Sequence, residues 1–139
     1  MPAKDIYHEQ VKTALSKEGW TITHDPLTLP FGRRTNIYVD LGAQRLIAAS
    51  KEDQKIAVEI KSFVGKSEID DLEDALGKYV LYLSLLEEKD PDRTLFLAVT
   101  REAFGSVFSE PFSQVLIRKL NLRIIIFDDK KEEIVKWIT

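Results

Sequence analysis

The residues with the clearest capacity for chemistry are three charged side chains near two predicted strand ends: Asp40, Glu59 and Lys61. Asp40 follows the apolar run 36–39, whereas Glu59 and Lys61 belong to the apolar run 56–63. Because strand side chains alternate between the two faces of a sheet, Glu59 and Lys61 are expected to share one face. An acid, a long hairpin and then Glu-x-Lys outline a metal-dependent phosphodiesterase site.

The chemistry of such a site follows from its donor atoms. Two carboxylates bind a hard divalent cation through oxygen, and the ion lowers the pKa of a bound water to make a nucleophile. A neighbouring lysine orients that water or offsets negative charge in the transition state. We therefore predict that Asp40, Glu59 and the Ile60 carbonyl bind Mg²⁺ or Mn²⁺, with Asp40, Glu59 and Lys61 as the catalytic residues. The alternative is a charged pair on the solvent face of an amphipathic strand, which has the same spacing.

Two helices are expected to contribute residues at the edge of this site. Glu9, on the first predicted helix, is a candidate third acid, although it lies about 180° from the apolar stripe of that helix. His8 flanks the same stripe, and its alternative role is that of a hydrogen-bonded boundary histidine. Lys78 lies on a later and longer helix, one turn from its buried stripe, and is predicted to point toward the site.

Several exposed cations are candidates for contacts with DNA phosphates. Arg33 and Arg34 are adjacent in a predicted loop, and Lys66 precedes the long helix. Together with Lys51, Lys55 and Lys78 they are expected near the strand ends, where they would form a phosphate-binding rim. The alternative for each of them is an ordinary solvated face.

The elements that must position these residues form an alternating pattern of helices and strands. A helix is predicted at 3–18, ended by Gly19, and a long helix is predicted after a cap at Ser67, ended at Asp90-Pro91. The sequence predicts strands at 20–24, 36–40, 45–49, 56–63, 94–100, 122–127 and 133–138, a loop at 27–35, a turn at 50–54 and a helical stretch at 101–120 interrupted near Pro111. This order predicts an α/β fold with a mixed central β-sheet flanked by helices.

Length and composition limit the classes of protein that fit. The 139 residues are predicted to form a single domain, and the apolar and charged fractions of 44% and 31% are ordinary for a globular protein. Cysteine is absent, which excludes disulfides, zinc-thiolate sites and cysteine nucleophiles. No apolar run is long enough to span a membrane, so we expect a cytoplasmic protein. The net charge of −3 provides no global basic field for non-specific DNA binding.

Several segments together resemble the XisH family, whose members are described as controlling factors for excision of the fdxN DNA element in heterocyst-forming cyanobacteria. The resemblance covers essentially the whole chain and is carried by residues 5–8, 11–12, 19–26, 38–43, 56–63 and 65–69 and by Trp137. That family in turn resembles the PD-(D/E)xK nuclease superfamily, which implies a restriction-endonuclease-like fold. The superfamily pattern matches its first acid to Asp40, its second to Glu59 and its lysine to Lys61.

The resemblance implies DNA as a partner, together with a site-specific recombinase and a companion protein of the XisI type. Nucleases of this fold often act on two strands as homodimers, so a homodimer is a further expectation. Two departures from the pattern are Val39 in place of proline and Lys78 where a glutamine often precedes tyrosine. Two functions therefore stay open: a metal-dependent endonuclease that supports recombination, and a catalytically silent module that regulates a recombinase through protein contacts.

Overall fold

The structure is a computed structural model that describes residues 4–47 and 52–139. Within these residues the chain forms four helices and eight strands. The helices are α1 (His8–Lys17), α2 (Glu68–Lys89), α3 (Arg101–Ser106) and α4 (Pro111–Leu120). The strands are β1 (Thr21–His24), β2 (Leu27–Pro30), β3 (Asn36–Val39), β4 (Leu41–Ile47), β5 (Glu52–Ile60), β6 (Arg93–Thr100), β7 (Ile124–Asp128) and β8 (Glu133–Ile138).

The described strands form one large mixed sheet and one small sheet. The large sheet has six strands in the order β1-β4-β5-β6-β7-β8, and β2 and β3 pair separately. β5, β6 and β7 run parallel, whereas the other neighbours in the large sheet are antiparallel. The predicted fold class is confirmed, and the architecture is consistent with a restriction-endonuclease-like fold.

Apolar side chains on the two faces of the large sheet form two separate cores. One core joins α1 to the sheet and includes Val58 and Ile60 of β5. The other joins α2, α3 and the small sheet to the opposite face and includes Ala57 of β5. Because alternate strand residues share a face, Glu59 and Lys61 project toward α2, as the strand pattern predicted.

The first helix is shorter than predicted, because it begins at His8 rather than near residue 3. The Asp5 carboxylate accepts a hydrogen bond from the Tyr7 backbone N–H at 2.9 Å, and the Asp5 carbonyl accepts one from the His8 N–H at 3.0 Å. These bonds form a turn that directs the chain into the helix. Residues 1–3 lie outside the described residues. The predicted stop is confirmed, since Gly19 follows the helix with φ +87°.

The predicted loop at 27–35 is wrong in its first half, because β2 occupies Leu27–Pro30 and pairs with β3. Leu27 and Leu29 are buried, whereas Thr28 and Pro30 are exposed, so this strand follows the usual alternation. Pro30, which lacks a donor N–H, lies at the strand end, where it is tolerated. Only residues 31–35 remain as a loop.

The hairpin between Asp40 and Glu59 is present, but its strands are longer than predicted. β4 begins at Leu41 rather than near Arg45, and β5 begins at Glu52, inside the predicted turn. The predicted end of that strand at 63 is wrong, because β5 ends at Ile60 and Lys61 directly follows it; Phe63, with φ +55°, cannot continue an extended strand. The rest of that turn, at 50–51, and the last two residues of the strand predicted at 45–49 lie outside the described residues.

The second half of the chain agrees with the predictions. The Ser67 hydroxyl caps α2 by accepting a hydrogen bond from the Asp70 N–H at 3.2 Å, and α2 ends directly before Asp90. β6 is a buried strand between β5 and β7, the interruption near Pro111 separates α3 from α4, and β8 lies at the sheet edge. No helix in the described part of the chain combines the length and the apolar character that a membrane span requires.

Candidate active site

Asp40 and Glu59 lie next to each other where β3 and β5 end and β4 begins. Asp40 is the single residue between β3 and β4, and the pairing of Leu41 with Val58 places it opposite Glu59. The Asp40 backbone N–H donates a hydrogen bond to Glu59 Oε1 at 3.3 Å. The Ile60 backbone N–H donates one to Asp40 Oδ2 at 2.8 Å. The Asp40 backbone therefore orients the Glu59 carboxyl group, and the Ile60 backbone orients the Asp40 carboxyl group.

The Ile60 carbonyl lies on the same side of β5 as Asp40. Along a strand, the N–H and C=O of one residue point to one side, and those of the next residue point to the other. The Ile60 N–H points to Asp40, whereas the Lys61 N–H donates to the Ala98 carbonyl of β6 at 3.0 Å. Three oxygen-bearing groups, from Asp40, Glu59 and Ile60, thus lie together next to the first residue of β4.

These groups border a small surface cavity of about 120 Å³. The cavity brings together five residues assigned to the site from the sequence with two that were not assigned, and it is lined by Lys4, Asp5, Asp40, Glu59, Ile60, Lys61 and Lys78. It is large enough for an ion with some of its water shell.

The electrostatics of the cavity are governed by the burial of Glu59. This side chain is 6% exposed, and burial together with the nearby charge of Asp40 raises its pKa from 4.5 to about 9. Lys78 opposes the shift, with its Nζ 3.9 Å from Glu59 Oε2. Burial also raises the pKa of Asp40, although the hydrogen bond from the Ile60 N–H partly offsets this effect. At neutral pH Glu59 therefore keeps its proton unless a further cation enters the cavity.

Lys61 is bound by acidic residues of α2. Its Nζ lies 2.8 Å from Asp74 Oδ2 and 3.7 Å from Asp71 Oδ1. Burial alone would lower the pKa of Lys61, but the hydrogen bond and ion pair with Asp74 outweigh it and raise that pKa. Lys78 also pairs with Asp74, at 3.4 Å. Glu59, Lys78, Asp74 and Lys61 consequently form a row of alternating acidic and basic side chains.

Sequence reasoning missed Asp71 and Asp74, although a signal was present. Asp71, Asp74 and Lys78 are spaced by three and four residues, which places them along one side of a helix. Once Lys78 was assigned to the site edge, this helical spacing also predicted Asp71 and Asp74 on the same side of the helix. Lys4 and Asp5 carried no comparable signal, because they precede α1 in an irregular segment.

The structure places the two candidates from α1 away from the cavity. His8 is buried, and its Nε2 lies 2.7 Å from Asp25 Oδ1, which is the boundary-histidine alternative considered from the sequence. The Glu9 side chain is 71% exposed and lies 3.8 Å from Lys12. Neither residue lines the cavity, so α1 supplies no third acid to it.

Three of the cations proposed for DNA contact are exposed and lie outside the cavity, whereas Lys55 is partly buried near Asp90 and Lys51 lies outside the described residues. Arg33 and Arg34 belong to the loop between β2 and β3, and Lys66 lies in the segment before α2. None of the three is among the residues that line the cavity.

The oxygen donors of the site are few, but they fit a hard divalent cation. Within residues 4–47 and 52–139, no group of three or more histidine or acidic side chains is arranged to hold a metal ion. The site instead offers two carboxyl groups and the Ile60 carbonyl, and Mg²⁺ is commonly bound by one or two carboxylates while keeping several waters. The buried Glu59 carboxyl and the adjacent, partly buried Asp40 carboxyl both have raised pKa values, which shows that they lack sufficient positive charge; a divalent ion would supply it.

Comparisons with known proteins agree over nearly the whole chain. A family model described as XisH protein matches residues 1–135. The crystal structure of an XisH family protein from Nostoc punctiforme PCC 73102 is 36% identical, with 97% of this chain and 100% of that chain covered and a TM-score of 0.86. The crystal structure of an fdxN element excision controlling factor protein from Anabaena variabilis is 37% identical, with 98% and 100% covered and a TM-score of 0.86. No match was found among curated proteins.

Proposed function

The chain belongs to the XisH family, and from this premise we propose that it acts in the cytoplasm as an excision controlling factor, the role named for its Anabaena variabilis relative. We further propose that it does so as a PD-(D/E)xK-type, divalent-metal-dependent endonuclease that supports site-specific recombination. The observation that carries this proposal is the pairing of the buried Glu59 carboxyl with the partly buried Asp40 carboxyl beside the Ile60 carbonyl. A pair of this kind destabilises the fold unless a cation compensates it.

The proposed roles follow from the positions of the side chains. Asp40, Glu59 and the Ile60 carbonyl would hold Mg²⁺ or Mn²⁺, which when bound supplies positive charge and Lewis acidity next to a phosphodiester. Lys61 and Lys78 would place cationic charge beside the phosphate. Lys61 must then exchange its contact with Asp74, whose side chain is 45% exposed, for the phosphate. The exposed Arg33, Arg34 and Lys66 would contact phosphates farther along the DNA.

Metal binding in this site has to displace a proton. Because Glu59 is protonated at neutral pH in the metal-free protein, it must lose that proton to bind a cation as a carboxylate. Affinity for the cation is therefore expected to rise with pH, and each binding event is expected to release a proton from Glu59.

The first test is Mn²⁺ titration by isothermal calorimetry on the wild type, Asp40→Ala and Glu59→Gln. Asp92→Ala serves as the control, because Asp92 is an exposed acid outside the cavity. Repeating the titration in buffers of different ionisation enthalpy counts the protons released. Binding that is kept in the control but lost in both site variants is the expected result, whereas a wild type that binds no Mn²⁺ contradicts the proposal.

Cleavage is a separate step and needs its own assay. Supercoiled plasmid, linear duplex, single-stranded and branched DNA are incubated with the wild type, Lys61→Ala and the Asp92→Ala control, with Mn²⁺ or with a chelator. Metal-dependent nicking by the wild type and the control, with little or none by Lys61→Ala, is the expected result.

A second candidate function is favoured by the ion pairs of Lys61. The lysine that should assist the reaction is bound by Asp74 and Asp71 rather than directed at Asp40 and Glu59. This arrangement supports a catalytically silent module that regulates a recombinase, alone or with an XisI-type companion. Excision in cells that survives Lys61→Ala would favour this function over the endonuclease.

A further inference from the structure

A second surface feature lies apart from the candidate active site, between α2 and α4. It is a groove of about 400 Å³, lined on one side by Ile69, Leu72 and Leu76 of α2 and on the other by Phe112 and Leu116 of α4. Ile69 and Phe112 are 61% and 69% exposed. Large apolar side chains that are exposed together around a concave surface indicate a binding site.

The charges around this groove have one sign. Glu68, Glu73 and Glu110 are among its lining residues, whereas no lysine or arginine is. Ser106 donates a hydrogen bond to Glu68 Oε2 at 2.8 Å and so fixes the position of that carboxylate. An apolar floor with an acidic rim is complementary to an apolar ligand with basic flanks. A second copy of the same groove is a poor match, since a two-fold contact would place acidic rims opposite each other.

The shape of the groove specifies the ligand further. Ile69, Leu72 and Leu76 are spaced by three and four residues and extend along about 10 Å of α2, which is two helical turns. Phe112 and Leu116, four residues apart on α4, form a second apolar ridge on the other side of the groove. Two helical ridges with a groove between them accept a third helix, whose side chains fit between the ridges.

We propose that this groove binds an amphipathic helix of a partner protein. The partner helix presents apolar residues at i, i+3 or i+4, and i+7 to the floor, and lysine or arginine side chains to Glu68, Glu73 and Glu110. The inference uses none of the residues of the candidate active site and does not depend on the proposed function.

The test is selection from a display library of random 16-residue peptides on three immobilised proteins. The wild type is compared with the double variant Ile69→Ser/Phe112→Ser and with Val80→Ser, which alters an apolar residue of α2 that is 49% exposed and outside the groove. Peptides selected by the wild type and by Val80→Ser, with at least tenfold lower recovery on the double variant, are the expected result. Their sequences should share the apolar helical spacing and an excess of lysine and arginine.

The strongest selected peptide is then synthesised with a fluorophore and titrated by anisotropy. Glu73→Lys/Glu110→Lys should weaken its binding at least tenfold, whereas Val80→Ser should not change it. This variant keeps the apolar floor, so it tests the rim separately. Thermal melting of every variant should match the wild type, because all the altered side chains are exposed.

Three results would overturn the proposal. The first is that no selected peptide depends on Ile69 and Phe112. The second is that the dependent peptides are neutral or acidic, or lack helical spacing. The third is that sedimentation shows a wild-type dimer that the double variant dissociates, which would assign the groove to a second copy of the chain.

Discussion

Replacing Glu59 by glutamine should stabilise the metal-free protein at neutral and alkaline pH. Glutamine has nearly the same shape as glutamate but carries no charge, so the variant isolates the cost of ionising this buried side chain. Burial and the charge of Asp40 raise the pKa of Glu59 from 4.5 to about 9. Between these two pH values the folded wild type keeps a proton that the unfolded chain has already lost.

The size of the effect follows from the number of protons bound in each state. Where the folded state binds one proton more than the unfolded state, the free energy of unfolding falls by about 1.4 kcal/mol per pH unit as pH rises. From about pH 5 to about pH 8 the wild type should thus lose about 4 kcal/mol relative to Glu59→Gln. This is a large share of the roughly 5–15 kcal/mol that stabilises an ordinary domain.

The assay is urea unfolding of both proteins in the presence of a chelator, followed by tryptophan fluorescence at several pH values. Trp20 is 4% exposed and should report the loss of the core. Taking the difference between the two proteins at each pH removes the contribution of groups that titrate alike in both. Glu88→Gln, which changes an exposed glutamate of α2, is the matched control and should follow the wild type.

The reasoning is refuted if the difference in unfolding free energy between the two proteins does not change with pH. If wild type and Glu59→Gln differ by the same free energy at about pH 5 and about pH 8, Glu59 is already ionised in the folded metal-free protein. The candidate site would then hold its charge without an added cation, and the main argument for a metal would be lost.

Two further predictions concern α2 and the centre of the sheet. Asp74→Ala should lower the pKa of Lys61, because the hydrogen bond that raises this pKa is lost while the burial that lowers it remains. NMR titration of labelled lysine side chains measures the pKa. An unchanged value would show that Asp74 does not control the pKa of Lys61. Leu97→Ala should reduce the free energy of unfolding by about 2–5 kcal/mol, because it creates a cavity at a fully buried position of β6. Urea unfolding measures that loss, with the exposed Val80→Ala as control; a loss as small as that of the control would show that the sheet repacks around Leu97.

Part of the candidate site was predictable from the sequence because strand geometry is local. Alternation along β5 and into Lys61, which directly follows it, was enough to place Glu59 and Lys61 on one face, opposite to Val58 and Ile60. Helical spacing likewise placed Lys78 near the site, and the structure brings its Nζ to 3.9 Å from Glu59. The errors in the fold were one missed strand, β2, which had been predicted as loop, and several element boundaries, such as the start of α1 and the end of β5.

The sequence by itself was enough to predict most of the helices and strands, which of their faces are apolar, and that Asp40 follows a strand end. These properties depend on near neighbours along the chain, whose spacing is fixed by the backbone. Only the tertiary structure decided that Lys61 contacts Asp74 and that Asp40 and Glu59 border one small surface cavity. It also placed the exposed Glu9 side chain outside the lining of that cavity and formed an acidic groove between α2 and α4. The physical reason is that ion pairing and burial depend on distances between distant segments, which follow from how α2 packs across the sheet.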